Sequence, residues 1–235
     1  MSDYRVLDLF AGLGGFSSAF AESERWRVTT VDIDERFDPD IQADVFDLRP
    51  SDFSGRAFDV VLVGFPCRFM TTARNLTEGG DPAWSGGDPQ TDDARDNLAL
   101  LHHTVGLVRG LAPTYWFLEN PRGTLRTRWR EPAATVWYCR YGAPNAKPTD
   151  LWGRHPPMTY RTCHYGNNGC HESGSYYSDG SDRWEGEGRV GTLGEPDPAE
   201  RAKVPYELSA AIRDACEAAL DGEVAEQATL GEVTA

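Results

Sequence analysis

Lysine is nearly missing from this chain: of 23 basic residues only Lys147 and Lys203 are lysines, and the others are arginines. Acidic residues number 37, so the formal net charge is −14. The basic footprint that is typical of nucleic-acid-binding proteins is therefore absent. An acidic, lysine-poor composition is typical of proteins from salt-in halophiles, and we predict a halophilic protein. An arginine-biased, GC-rich genome is the alternative. DNA is not excluded as a partner, because counterion release contributes little to DNA binding at molar salt.

Long apolar runs and paired cysteines are lacking as well. No stretch of 18 apolar residues occurs, which argues against a membrane-spanning helix. The first residues lead directly into a strand pattern without a signal peptide, so we expect a cytoplasmic protein. The five cysteines, at 67, 139, 163, 170 and 216, are odd in number and argue against a disulfide framework.

Strand and helix patterns alternate over the first 120 residues. Strands are predicted at 4–9, 26–31, 58–64 and 114–118, and helices at 14–22 and 93–111. The run at 58–64 is almost continuously apolar, as expected for a strand that is buried on both faces. The alternation predicts an α/β fold with a doubly wound, mostly parallel sheet. Ligands of such sheets bind at the carboxyl ends of the strands.

The rest of the chain is predicted to contain shorter or irregular segments. A Gly-, Asp-, Pro- and Thr-rich stretch at 70–92 predicts a mobile catalytic loop within a catalytic and cofactor-binding domain, 1–152. Residues 133–142 suggest another strand. A small irregular recognition region is predicted at 153–200, and a C-terminal helix at 205–220 within a returning segment, 201–220. Residues 221–235 resemble a disordered acidic tail.

A glycine-dense turn follows the first strand, at residues 8–17 (Asp-Leu-Phe-Ala-Gly-Leu-Gly-Gly-Phe-Ser). Glycine lets the backbone approach a ligand closely, and the following helix offers unpaired N–H groups. The spacing is neither that of a dinucleotide site nor that of a phosphate-binding loop. The turn is therefore better suited to a nucleoside-type cofactor.

Two further motifs follow the buried strands. Pro66-Cys67 comes after the strand at 58–64, and Glu119-Asn120 comes after the strand at 114–118. Cys67 is either a nucleophile or a small buried apolar residue, the commonest fate of cysteine. Glu119 is either a site carboxylate or a surface residue at a strand end. Because Gly12, Asp32, Cys67 and Glu119 all lie next to strand ends, we expect them to meet at one edge of the sheet.

Taken in order, these pieces resemble the cytosine-C5 DNA methyltransferases, Rossmann-like enzymes that use S-adenosylmethionine. The resemblance covers residues 4–152 and, more weakly, 200–216. It implies formation of 5-methylcytosine through a covalent Cys67–C6 adduct on a cytosine flipped out of double-stranded DNA, with Glu119 stabilising the ring. Cys67 is then expected in a site that favours its thiolate, with Arg68 as a neighbour. The short recognition region indicates a divergent enzyme of haloarchaeal or viral type, with restriction–modification as a biological setting.

The resemblance also implies a set of cofactor-binding residues. Asp32 corresponds to the acid that binds the ribose hydroxyls, although Asp34 is an alternative. Asp44-Val45 corresponds to the adenine contact, and Val204-Pro205 to the motif that returns to the cofactor. The implied cofactor residues are Asp8, Phe10, Ala11, Gly12, Gly14, Gly15, Phe16, Asp32, Ile33, Asp44, Val45 and Pro66.

The sequence departs from the family where a Gln-x-Arg-x-Arg motif is expected. Residues 145–149 read Asn-Ala-Lys-Pro-Thr, so Lys147 alone keeps a positive charge. Lysine offers one point-like donor group where arginine offers a fork. We expect Lys147 or Arg122 to be the auxiliary cation, with Arg68 as a further substitute. The loss also permits a non-catalytic protein that only binds cofactor, and the small recognition region permits RNA or a nucleotide as substrate.

A Cys-His-x5-Cys-His pattern lies in the recognition region. Its members, Cys163, His164, Cys170 and His171, are weak candidates for zinc. Because the spacing is not that of a standard zinc finger, we predict no metal. The alternatives are side chains that line a nucleic-acid groove, or plain surface.

Overall fold

The computed structural model describes residues 3–70, 83–85, 88–163 and 198–222. Its strands are β1 Tyr4–Leu9, β2 Trp26–Asp32, β3 Ile41–Gln42, β4 Val60–Gly64, β5 Trp84–Ser85, β6 Asp88–Pro89, β7 Tyr115–Pro121, β8 Ala134–Trp137 and β9 Pro148–Arg154. Its α-helices are α1 Ser18–Ala21, α2 Asp92–Leu111, α3 Leu125–Arg128, α4 Pro198–Ala202 and α5 Tyr206–Leu220. Short 3-10 turns occupy Glu35–Phe37, Val45–Asp47, Pro50–Phe53 and Tyr138–Tyr141.

Seven strands form one sheet in the order β3-β2-β1-β4-β7-β9-β8. The first five strands in this order are parallel, whereas β9 is antiparallel to both β7 and β8. β5 and β6 form a separate antiparallel ribbon. The predicted mostly parallel, doubly wound sheet is confirmed. The chain runs outward from β1 to β3 and returns to β4 on the other side of β1, so the carboxyl ends of β1 and β4 flank the crevice where such sheets bind ligands.

Each face of the sheet has its own hydrophobic core. Because side chains alternate along a strand, Leu7 and Val61 belong to one core and Val6 and Val60 to the other. The first core packs against α2, and the second packs against α1 and α5. Burial on both faces explains why the strands read as continuous apolar runs.

Helix α2 matches the predicted helix at 93–111 within one residue. The Thr91 side chain accepts a hydrogen bond from the Ala94 amide at 3.2 Å and caps the first turn. Acidic residues in the first turn and an arginine in the last complement the helix dipole. At the carboxyl end, Ala112 adopts a left-handed conformation that ends the helix before β7.

Three predicted elements need correction. The helix at 14–22 shrinks to Ser18–Ala21, because positive φ angles at Gly12 and Gly14 hold the chain in a turn first. The strand at 133–142 ends at Trp137 and continues as a 3-10 turn that stops at Gly142, φ 84°. The strand predicted at 114–118 extends to Pro121, so Glu119 lies within β7 and not beyond its end.

Strand β9 is not among the strands that the sequence patterns predict. Its central Asp150 is fully buried and has no place in an ordinary strand pattern. The Arg126 guanidinium forms two hydrogen bonds to the Asp150 carboxylate, at 2.5 and 2.9 Å, and Thr135 donates a third at 2.7 Å. A charge supplied by another part of the chain therefore makes this strand possible.

The predicted catalytic loop, recognition region and tail lie mostly outside the described residues, and the domain boundaries stay predictions. Within the described ranges, the returning C-terminal helix is present as α5 and packs on α1. None of the helices described is long and apolar enough to span a membrane.

Candidate active site

The glycine turn after β1 adopts backbone conformations that side chains rarely tolerate. Phe10, Gly12 and Gly14 have φ angles of 58°, 51° and 71°. A Cβ atom added at Gly12 or Gly14 would meet no atom within 4 Å, so conformation and not crowding calls for glycine there. The Ala11 amide donates to the Val31 carbonyl at 3.1 Å and ties the turn to β2. The turn therefore leaves open space at the carboxyl edge of the sheet.

Asp32, the last residue of β2, faces this turn. Its carboxylate accepts hydrogen bonds from the Gly12 amide at 2.8 Å and from the Asp34 amide at 2.9 Å. Asp34 is instead engaged by Arg36, through contacts of 2.5 to 3.0 Å. Of the two acids left open by the sequence, Asp32 is the one placed at the glycine turn.

Exposed apolar side chains flank these polar groups in sequence. Leu13, Ile33 and Phe46 are 43%, 63% and 43% exposed, which is high for large hydrophobic residues. Val45 is buried, and the Asp44 carboxylate accepts from the Phe46 amide at 2.9 Å. Ile33 and Phe46 therefore present apolar side chains at the surface after β2 and β3, and the Phe46 ring stacks on His103 at 5.2 Å.

Asp8 lies beneath the turn and is fully buried. Ser17 donates to its Oδ2 at 2.6 Å, while no described residue hydrogen-bonds to its Oδ1. Burial raises the pKa of Asp8 to about 7. An unpaired buried oxygen beside an open turn is typical of a site that binds a polar ligand.

The C-terminal segment closes on the same turn. A Cβ atom at Gly15 would lie 2.9 Å from the backbone N and O of Val204, so only glycine permits this contact. The Ser209 hydroxyl donates to the Phe16 carbonyl at 2.6 Å and accepts from the Ala19 amide at 3.1 Å. The expected return of the Val204-Pro205 motif to the glycine turn is present.

Cys67 lies in a turn that follows β4 and is fixed at three carbonyls. Asn120 Nδ2 donates to the Phe65 carbonyl at 3.0 Å, and the Trp84 indole donates to the Phe69 carbonyl at 2.8 Å. Thr124 donates both its amide and its hydroxyl to the Met70 carbonyl, each at 3.0 Å. We call residues 65–70 the cysteine turn. Its backbone is held by β7, by the ribbon and by the segment before α3.

Glu119 lies on β7 opposite Gly64 of β4, at the edge from which the cysteine turn begins. The side chain is buried, and the Tyr138 hydroxyl donates to its Oε1 at 2.8 Å. Burial raises the pKa of Glu119, while the charge of Lys147 and the hydrogen bond from Tyr138 oppose the rise. Glu119 can therefore retain a proton more readily than an ordinary glutamate.

The two predicted auxiliary cations differ in exposure and in their partners. Lys147 Nζ donates to the Arg201 carbonyl at 2.8 Å, and its charge acts on both Glu119 and Cys67. Arg122 is exposed, and its backbone amide donates to the Pro148 carbonyl at 2.9 Å. Arg68 is also exposed and lies over the Phe69 ring at 5.3 Å. Lys147 is the predicted cation that meets the acid.

The expected thiolate-favouring environment of Cys67 is wrong for this structure. Burial, and then the charge of Glu119, raises the pKa of the Cys67 thiol. Lys147 and, more weakly, Arg201 oppose the rise, and the expected neighbour Arg68 is not among its main causes. The physical reason is that the thiol shares a buried pocket with a carboxyl group. A neutral Glu119 would relieve one of the two causes.

Several residues of this site escaped the sequence analysis. Tyr138, Arg201, Thr124 and Trp84 come from segments that are distant in sequence, and none of them lies in a motif that marks the site. The zinc candidates His164, Cys170 and His171 lie outside the described residues, while Cys163 is buried against Trp137, Cys139 and Ala146. Across the ranges described, no three His, Cys, Asp or Glu side chains form a metal-binding group.

Comparison with known proteins gives two independent matches. The profile of the C-5 cytosine-specific DNA methylase family matches residues 4–136. Over 228 residues the chain is 31% identical to the "Probable DNA (cytosine-5)-methyltransferase" of Frog virus 3 (isolate Goorha), and the match covers 90% of this chain and 100% of that protein.

Solved structures are similar at lower identity. A mutant of Spodoptera frugiperda DNMT2 matches with a TM-score of 0.45 and 20% identity, over 72% of this chain and 57% of that one. The S. pombe Dnmt2 methyltransferase matches with a TM-score of 0.39 and 20% identity, over 68% and 53%. The chain thus spans little more than half the length of these two structures.

Proposed function

This chain belongs to the C-5 cytosine-specific DNA methylases, and we propose that it methylates cytosine in DNA through a transient bond between Cys67 and C6 of the ring. The observation that carries the proposal is the convergence of Cys67, Glu119 and Lys147. All three lie at the carboxyl edge of β4 and β7, next to the glycine turn, and their charges act on one another.

The residues of the turn suit S-adenosylmethionine. Asp32 would hold the ribose hydroxyls, Ile33 and the Asp44–Phe46 turn would receive the adenine, and the unpaired Asp8 oxygen lies beneath the turn. When bound, the cofactor supplies an electrophilic methyl group on a sulfonium sulfur. Gly12 and Gly14 allow the positive φ angles that leave the turn open to a ligand, and Gly15 allows the close contact with Val204.

Cys67 supplies the nucleophile. C5 of cytosine is a poor nucleophile, and a bond from Cys67 Sγ to C6 turns the ring into an enamine whose C5 can accept a methyl group. The thiol first gives up its proton to solvent. After methylation the C5 proton leaves to a base, and the Sγ–C6 bond breaks to restore the thiolate. The products are then 5-methylcytosine and the demethylated cofactor.

Glu119 and Lys147 stabilise the ring during this addition. A protonated Glu119 beside N3 donates a hydrogen bond where negative charge develops. Its raised pKa, caused by burial, favours that form. The Lys147 ammonium stabilises negative charge on the sulfur of the thiolate and on the ring, because its charge already acts on Cys67 and Glu119.

Double-stranded DNA with a flipped cytosine is the proposed substrate. A ring enclosed by Cys67 and the buried Glu119 has to leave the base stack before it can react. Residues 70–92 are proposed to close over the base and 153–200 to contact the target sequence, although most of both ranges lies outside the described residues.

Methyl transfer to different acceptors tests the proposal. The full chain is incubated with tritiated S-adenosylmethionine and duplex DNA, tRNA or dCMP, at low and at molar salt. We expect label in duplex DNA for the wild type and for the matched control Cys139→Ser, and none for Cys67→Ser. Label confined to tRNA or dCMP would refute the substrate. An active Cys67→Ser protein would refute the nucleophile, and cofactor binding without any transfer would indicate a non-catalytic protein.

A further inference from the structure

Tyr138 is a buried tyrosine whose hydroxyl reaches the proposed acid. It begins the 3-10 turn that follows β8, and it is 2% exposed. Its hydroxyl donates to Glu119 Oε1 at 2.8 Å. Because a tyrosine hydroxyl carries one hydrogen, a proton on Glu119 is directed to the other oxygen, Oε2. That oxygen is then the one able to donate to a substrate.

The ring of Tyr138 meets the second charged group of the site. Lys147 Nζ lies 4.4 Å from the ring centroid, within the range of a cation–π contact. The same ammonium donates to the Arg201 carbonyl. One side chain therefore contacts the carboxyl group through its hydroxyl and the ammonium through its face.

We propose that Tyr138 is the positioning residue of this active site: its hydroxyl sets the rotamer and the proton-bearing oxygen of Glu119, and its ring seats Lys147, so that acid and cation face the pyrimidine together. This inference rests on the proposed function. Tyr138 does not react, since its effect reaches the substrate only through Glu119 and Lys147.

Tyr141 shows what a merely structural tyrosine does in the same turn. It is 1% exposed, and its hydroxyl accepts a hydrogen bond from the Arg161 backbone amide at 3.0 Å. Its ring carries Arg161 at 5.1 Å, so it too combines a hydrogen bond with a cation contact. The two tyrosines differ in their partners: a proposed catalytic pair for Tyr138, and a peripheral segment for Tyr141. Tyr141→Phe is therefore the matched control.

The test compares Tyr138→Phe with Tyr141→Phe. Removing the Tyr138 hydroxyl while keeping its ring should lower kcat for methyl transfer by about 10- to 100-fold, the usual effect of one hydrogen bond to an ionisable group. KM for the cofactor should change by less than about twofold, because the glycine turn is untouched. Tyr141→Phe should keep kcat within about threefold of the wild type. Thermal unfolding and cofactor binding verify that both variants are folded.

The pH profile separates positioning from loss of structure. The Tyr138 hydrogen bond lowers the pKa of Glu119, so its loss raises that pKa. Because Glu119 acts in its protonated form, the alkaline limb of kcat/KM should move to higher pH. Tyr141→Phe should leave the limb unchanged. A Tyr138→Phe enzyme with wild-type kcat and an unmoved alkaline limb overturns the inference and leaves the proposed function intact.

A second pair of variants tests whether the Tyr138 hydroxyl acts through Glu119. In a Glu119→Ala background, which leaves no side-chain oxygen to accept from Tyr138, adding Tyr138→Phe should change the rate of covalent adduct formation on 5-fluorocytosine DNA by less than about threefold. A further drop as large as that in the wild-type background refutes the route through Glu119. A wild-type enzyme that forms no adduct overturns the proposed function, and this inference with it.

Discussion

Lys147→Met is the substitution that probes the electrostatics of the site most sharply. Among the residues that the structure describes, it removes the main charge that opposes the raised pKa of both Cys67 and Glu119, and the new side chain is only one atom shorter. A neighbouring opposite charge typically shifts a pKa by about 1–3 units. Each unit lowers the thiolate fraction tenfold while the pH lies below the pKa of the thiol. At neutral pH the rate of adduct formation should therefore fall by about 10- to 1000-fold.

The assay is single-turnover adduct formation on 5-fluorocytosine DNA between pH 6 and pH 9. The Lys147→Met rate should rise about tenfold per pH unit, because hydroxide restores the thiolate that the ammonium no longer favours. Lys147→Arg should recover much of the rate. Arg122→Met should leave the pH dependence where it is, since this exposed side chain acts on neither group. A Lys147→Met protein with the wild-type rate and pH dependence would refute the reasoning.

Three other predictions concern the scaffold. Gly15→Ala should destabilise the protein by about 1–3 kcal/mol and weaken cofactor binding, because its Cβ would lie 2.9 Å from the backbone of Val204. The control Gly106→Ala lies on an open part of α2. In denaturant unfolding it should be neutral or slightly stabilising. Asn120→Ala should lower the free energy of unfolding by about 1–3 kcal/mol and slow adduct formation, because the Phe65 carbonyl of the cysteine turn loses its hydrogen bond. An unchanged melting curve and rate would contradict this prediction. Burial raises the pKa of Asp8 from 3.8 to about 7, so the folded protein binds this proton more tightly than the unfolded chain does. Stability should fall as the pH rises from about 4 to about 7, by up to about 4 kcal/mol, and Asp8→Asn should abolish that slope in unfolding measured at pH 5 and pH 8. Parallel slopes for the two proteins would refute the assignment.

The parts of the site that the sequence predicts are those with local signals. The turn around Gly12 and Gly14 follows a strand within a few residues, and both glycines adopt positive φ angles. Cys67 and Glu119 follow or end apolar runs, and parallel strands bring such positions to one edge. Short-range pattern and the rule for parallel sheets were enough to assemble these groups.

The remaining parts depend on contacts between distant segments. Nothing near Tyr138 marks it as a partner of Glu119, because the contact is made by a turn after β8 against β7. The sequence does not distinguish Lys147 from Arg122 as the auxiliary cation, and only the fold brings Lys147 over the Tyr138 ring. A sequence pattern with Asp150 at its centre does not predict a buried strand, because the Arg126 guanidinium that neutralises this carboxylate comes from a segment distant in sequence. The halophilic character and the restriction–modification setting stay predictions.

The most direct test of the account is to locate the covalent bond. Wild-type protein is incubated with S-adenosylmethionine and duplex DNA that contains 5-fluorocytosine, then digested, and the nucleotide-bearing peptide is sequenced by mass spectrometry. The account predicts one adduct, on the peptide that contains Cys67. An adduct on any other cysteine, or formation of 5-methylcytosine by Cys67→Ser protein, would contradict it.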